Sequence, residues 1–194
     1  MERFIMQDLI AWKNREDRKP LILLGARQVG KTYILKEFGQ REFENVAYIN
    51  CDNNAMAKDL FASDYNIDRI LLTIGAITGV NIEAGKTLII MDEIQELHRG
   101  LASLKYFCEN AREYHVAVAG SLLGLALHQG ESYPVGKVNT LEMYPMTFEE
   151  FLWARGFKQR MDLLQHGMWD VVKSLRTLYI QHLREYYLVG GMPE

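Results

Sequence analysis

Apolar positions follow two rhythms along this chain. Short apolar runs bounded by turn residues read as buried strands, and apolar residues spaced by three and four read as helices. Phe4, Ile5, Leu9, Ile10 and Trp12 predict a short amphipathic helix over residues 3–13. Pro20 then sets up a strand over 21–24, and Ile34, Leu35 and Phe38 predict a helix that Gly39 can stop. "NVAYIN" (45–50), "TLIIMDE" (87–93) and "VAVAGS" (116–121) read as further strands, and "KVNTLEMY" (137–144) as a weaker fifth. Between them, Ile67, Ile70, Leu71, Ile74 and Ile77 mark a helix over 66–80. Leu101, Leu104, Cys108 and Ala111 mark another, with Lys105 and Glu109 expected outside it as an i,i+4 pair. From Thr147 onward the pattern is helical. Thr147 and Glu150 are spaced as a capping box, and Val172, Leu175, Tyr179, Leu183 and Tyr186 form one apolar stripe.

Strands alternating with helices predict an α/β fold with a mainly parallel sheet covered on both faces. Ligands of such sheets sit beyond the carboxyl ends of the strands. The expected organisation is a core over 1–146 and a helical layer or lid over 147–194.

The first strand end carries "GARQVGKT", which fits G-x-x-x-x-G-K-[ST] at Gly25, Gly30, Lys31 and Thr32. The glycines let the backbone of Gly25, Ala26, Arg27, Gln28, Val29 and Gly30 curl its N–H groups towards phosphate oxygens. The next helix, entered through Lys31, Thr32 and Tyr33, adds its unpaired N–H groups and positive dipole end. Lys31 is expected on the β- and γ-phosphates and Thr32 on magnesium. Arg27 has two readings, phosphate or partner contact. In "LIIMDE" the apolar strand ends in Asp92, a magnesium acid, and Glu93, which can accept a hydrogen bond from a water behind the γ-phosphate. Helix-capping acids are the plain alternative for this pair. Ser121 closes the fourth strand as a γ-phosphate sensor or as a helix N-cap. In a five-strand order of 5-1-4-3-2 it falls between the loop and the acids.

Composition narrows the partners. The formal net charge is −3, which gives no global basic field for nucleic acid or membrane. No apolar run reaches the roughly 20 residues of a membrane span. Cys51 and Cys108 fit no metal or redox spacing and suit reduced thiols in a cytoplasmic protein. A guanine-reading Asn-Lys-x-Asp segment is lacking, which favours ATP over GTP, and a small-molecule kinase has no need of Glu93.

"RKPLILLGARQVGKT", "TLIIMDEIQ", "VAVAGSLLG", "YPVGKVNTLEMYPMTFEEFL" and "YYLVGGMPE" resemble a family of bacterial and archaeal AAA-type ATPases. The resemblance implies an additional-strand, catalytic-glutamate P-loop core with ATP and magnesium as ligands. It carries the phosphate loop onto 25–32, the magnesium acid onto Asp92, the catalytic acid onto Glu93 and the sensor onto Ser121. It also implies a further, nuclease-like region beyond residue 194, through which a protein or DNA partner is expected. Gly190, Gly191 and Pro193 resemble an adenine-facing Gly-x-Pro turn, and serve equally as a helix stop. Arg99, Arg112, Arg155, Arg184 and Lys137 are indistinguishable as a further phosphate-reaching cation, and the oligomeric state is left open. Three function classes follow: an ATPase coupled to its lid, a nucleotide-gated switch or scaffold with little turnover, and a DNA-directed ATPase.

Overall fold

A computed structural model of the chain describes residues 2–52, 54–58, 60–61, 64–121 and 134–192, without the side chain of Ser121. The core elements are α1 (Ile5–Lys13), β1 (Leu21–Gly25), α2 (Lys31–Glu42), β2 (Asn45–Asn50), α3 (Ala55–Lys58), α4 (Ile67–Thr78), β3 (Thr87–Asp92), α5 (Gly100–Asn110), β4 (His115–Ser121) and β5 (Asn139–Met143). A single 3-10 turn, Ile94–Glu96, follows β3. The five strands are parallel in the order β2-β3-β4-β1-β5, which is the expected 5-1-4-3-2 read from the other edge.

The strands alternate their side chains between two cores, so burial on both faces accounts for runs with no polar residue. Ile22, Ile89, Met91, Val116 and Val118 pack with Ile70, Ile74, Leu104 and Phe107 from α4 and α5. Leu21, Leu23, Leu88, Ile90, Ala117 and Ala119 pack against Leu9, Trp12, Ile34, Leu35 and Phe38 from α1 and α2.

The helical part comprises α6 (Phe148–Ala154), α7 (Lys158–Gln165), α8 (Trp169–Ser174) and α9 (Arg176–Val189). Its own small core is Phe151, Leu152 and Met161, with Phe148, Phe157 and Tyr186 against it. The capping box is formed: Thr147 Oγ1 accepts from the Glu150 N–H, and Glu150 Oε2 accepts from the Thr147 N–H at 2.9 Å. Tyr186 Oη donates to the Met146 carbonyl at 2.8 Å and ties α9 to the exit of β5.

Three local expectations change. Gly39 lies inside α2, which runs on to Glu42, because the helix passes so near β2 that a Cβ at Gly39 would meet Val46 Cγ2 at 2.6 Å. The stripe from Val172 to Tyr186 is broken between α8 and α9. Ser174 Oγ and the Leu175 N–H share the Val171 carbonyl, and the same N–H reaches the Val172 carbonyl at 3.1 Å as a tightened last turn; only Tyr179 of the five is buried. Glu109 pairs with Lys137 at 2.8 Å rather than with Lys105, because β5 brings Lys137 to the carboxyl end of α5.

Candidate functional site: a glycine loop facing two acids

The parallel register brings the three strand ends together. Gly25 pairs with Ser121 on one side and Met143 on the other, and Asp92 aligns with Ala119, two residues before Ser121. The loop turns sharply after Gly25, where a Cβ would lie 2.5 Å from the Met143 carbonyl oxygen. Gln28 (φ 63°) and Gly30 (φ 97°) are both left-handed. Left-handed residues in a turn can direct successive backbone N–H groups inward as an anion-binding concavity. Ala26, Arg27 and Gln28 form the exposed crest, whereas Val29 is fully buried and anchors the loop in the core. Gly30 caps α2 without a side-chain bond, and the first turn of α2 carries no acid. The dipole end is therefore electropositive and open to an anion.

Lys31 is buried, and its ammonium donates to the Gly25 carbonyl at 3.0 Å and the Ala26 carbonyl at 2.8 Å. Burial draws its pKa below the usual lysine range, and the charges of Glu93 and Asp92 oppose that shift. Thr32 Oγ1 donates to Asp92 Oδ2 at 2.5 Å. Two hard oxygen donors so close together suit magnesium, which is commonly held by one or two carboxylates together with substrate phosphates. Among the described residues no cluster of three or more His, Cys, Asp or Glu gathers as an all-protein cage.

Two side chains to which the sequence pattern assigned no role hold the acids. Tyr48 Oη donates to Asp92 Oδ2 at 3.3 Å from the neighbouring strand, and the Lys36 ammonium lies 3.4 Å from the centre of its ring. Burial and the adjacent Asp92 charge push the Tyr48 phenol up to about 12, so it remains a donor at neutral pH. Gln95 Nε2 donates to Glu93 Oε2 at 2.5 Å, while the buried Gln95 Oε1 has no partner among the described residues. Glu93 itself is left-handed (φ 52°), a conformation uncommon outside glycine, so the chain bends off β3 at the acid. The signal for Gln95 was its place two residues after Glu93; Tyr48 has none in the linear sequence, because strand pairing alone brings it to Asp92.

Gln28, Gly30, Lys31, Thr32, Tyr33 and Glu93 line a cleft of about 600 Å³ that Val189 and Met192 close from the helical side. Gly190 ends α9, and a Cβ on Gly191 would lie 2.5 Å from the Met146 carbonyl, so the turn after α9 sits tightly on the exit of β5. Pro193 and the Ser121 side chain lie outside the described residues. Cys51 and Cys108 are buried free thiols, and burial beside Asp92 and Glu93 pushes Cys51 up to about 12.

The other cations separate by position. Lys137 precedes β5 and Arg112 precedes β4, so both lie at the end of the sheet away from the loop. Arg99 Nε donates to Tyr65 Oη at 3.0 Å, and Arg155 lies 3.8 Å from Glu185. Arg184 is exposed on α9.

A sequence profile for the AAA domain matches residues 17–152, a span that contains the loop, both acids and the whole sheet. The chain belongs to the AAA domain family. Nucleotide binding and ATPase activity, in general terms, are the chemistry this family supports. An uncharacterised protein of Methanocaldococcus jannaschii is 30% identical, aligned over 91% of this AAA chain and 39% of its own length. The chain thus spans about two fifths of that relative. The fold is similar to a variant of Thermotoga maritima RuvB, with a TM-score of 0.51 and 20% identity over 83% of this chain and 50% of that one. Aeropyrum pernix Orc1 in complex with DNA aligns at a TM-score of 0.47 and 15% identity, over 78% of this chain and 47% of that one. No helix among the described residues of the AAA chain is long and apolar enough to cross a membrane.

Proposed function

We propose that the cleft binds Mg-ATP and that the chain hydrolyses it in the cytoplasm, coupling the cycle to the helical layer over 147–194. The supporting observation is the cluster of Lys31, Thr32, Asp92 and Glu93 around one cleft at the strand ends. The loop amides and Lys31 hold the β- and γ-phosphates. Thr32 and Asp92 would hold the magnesium, which would neutralise charge on the phosphate oxygens. Glu93 accepts a hydrogen bond from a water in line with the γ-phosphorus. As the water oxygen bonds to phosphorus, the bond to the bridging oxygen breaks, its electron pair leaves with ADP, and Glu93 takes the water proton. Ser121, whose backbone pairs with Gly25, is assigned to sensing the γ-phosphate. Met192 and Val189 offer an apolar wall to the base.

The second reading is a nucleotide-gated switch with little turnover. It draws support from Gln95, which already occupies one Glu93 oxygen. Phosphate release from ATP and from GTP, with and without DNA, separates the readings. The Glu93→Gln protein is expected to bind ATP as the wild type does and to lose turnover by at least tenfold, while Lys31→Ala loses nucleotide affinity. Hydrolysis unchanged in Glu93→Gln would remove the role given to Glu93. Tight binding with no phosphate release by the wild type under any condition would favour the switch, and stimulation by DNA would favour a DNA-directed ATPase.

A further inference from the structure

Arg3 lies about 20 residues upstream of the phosphate loop in sequence, yet its side chain is only 4% exposed and reaches three separate elements. Its Nη1 donates to the Val29 carbonyl inside the loop at 3.3 Å, and its Nη2 donates to the Tyr144 carbonyl after β5 at 2.6 Å. Its Nε lies 3.1 Å from Glu150 Oε1, and the Glu150 side chain is 5% exposed. That same Glu150 oxygen accepts the Phe4 N–H at 2.8 Å, and the other closes the capping box of α6. Phe4 also packs edge-on against Trp153 of α6, with ring centres 4.7 Å apart.

The Val29 carbonyl is the informative contact. In a trans peptide the C=O and the following N–H point in opposite directions. Holding the Val29 oxygen towards Arg3 therefore aims the Gly30 N–H away from Arg3, and Gly30 lines the cleft. Gly30, at φ 97°, has the freedom that lets this peptide rotate, so an anchor on its oxygen has something to prevent. We infer that Arg3 is a positioning residue: it fixes the Val29–Gly30 peptide in its phosphate-facing orientation and joins that peptide, through Glu150, to the helical layer. The inference rests on the reading of this loop as a nucleotide site. It gives α6 a direct route by which to register the loop, and the loop a route by which to feel α6.

The test compares wild type, Arg3→Met and Arg3→Lys, each first checked for a cooperative thermal transition. ADP affinity with magnesium is measured by calorimetry, and amide hydrogen exchange is followed with and without saturating Mg-ADP. In the wild type, ADP should slow exchange both in the loop (26–33) and in α6 (148–154). In Arg3→Met, affinity should fall about tenfold, in line with the loss of a charge-assisted hydrogen bond that holds the competent loop. The response of α6 should vanish while the loop still responds. Arg3→Lys keeps the charge but cannot donate to the Val29 and Tyr144 carbonyls while also pairing with Glu150, so it should recover part of the affinity and little of the α6 response. If Arg3→Met does not fold, the Lys variant decides alone. Affinity within twofold of wild type together with an undiminished α6 response overturns the inference and leaves the nucleotide site standing. A wild type that shows neither ADP affinity nor loop protection overturns the nucleotide reading itself, and the role of Arg3 falls with it.

Discussion

Replacing Gly39 by alanine sets two effects of known size against each other. The position lies inside α2, where alanine is favoured over glycine by about 1 kcal/mol through helix propensity. The new Cβ would stand 2.6 Å from Val46 Cγ2, 3.3 Å from Val46 Cγ1 and 3.3 Å from Leu88 Cδ2. Carbon atoms prefer roughly 3.5–4.0 Å, so the nearest contact is overlapped by nearly 1 Å. Val46 is β-branched and held in β2, with few rotamers to escape into. Overpacking of this kind costs about 1–3 kcal/mol. The clash therefore outweighs the propensity gain, and Gly39→Ala should be destabilised by about 1 kcal/mol, with α2 and its loop pushed off the sheet. Urea denaturation of the wild type, Gly39→Ala, Val46→Ala and the double variant closes the cycle. In the Val46→Ala background both Val46 contacts are gone and only the 3.3 Å approach to Leu88 remains, so the glycine substitution should turn neutral or stabilising, with a coupling of about 1–3 kcal/mol. A Gly39→Ala protein more stable than wild type in the Val46 background would refute the packing argument.

Tyr48→Phe removes one donor to Asp92 and leaves the cation–π partner in place, so ADP affinity should fall about fivefold with magnesium and stay unchanged in chelator, as calorimetry would read. An equal loss without metal would show that Tyr48 does not act through Asp92. His115, at the start of β4, is drawn down to about 4 by burial and by the facing cations of Arg18 and Lys13. Its folded pKa lies below its ordinary value of 6.5, so the stability tied to the neutral ring is full above about pH 6.5 and is lost as pH falls towards 4. Its upper limit is roughly 3 kcal/mol. The difference in denaturation midpoint between wild type and His115→Gln should therefore change steadily between pH 6.5 and 4; a constant difference would rule the linkage out.

By itself the sequence determined whatever depends on near neighbours in the chain. Strand faces follow from period-two burial, so Leu21, Ile22, Leu23 and the run from Leu88 to Met91 were legible as a doubly covered sheet. The loop at 25–32 and the capping box of Thr147 and Glu150 are local geometry, spelled by spacing. Packing between distant segments was not legible. Gly39 reads as a helix stop until Val46 is known to press against it, and a Gly39 inside a helix looks the same in the sequence. The stripe from Val172 to Tyr186 is periodic, yet the helix breaks at Leu175 between α8 and α9 and only Tyr179 of the stripe is buried. Tyr48 reaches Asp92 only because β2 pairs with β3, across 44 residues, and Arg3 meets Tyr144 across 141. Such contacts depend on the closure of long loops, whose cost is met collectively by the whole core and leaves no periodic mark on the residues that meet.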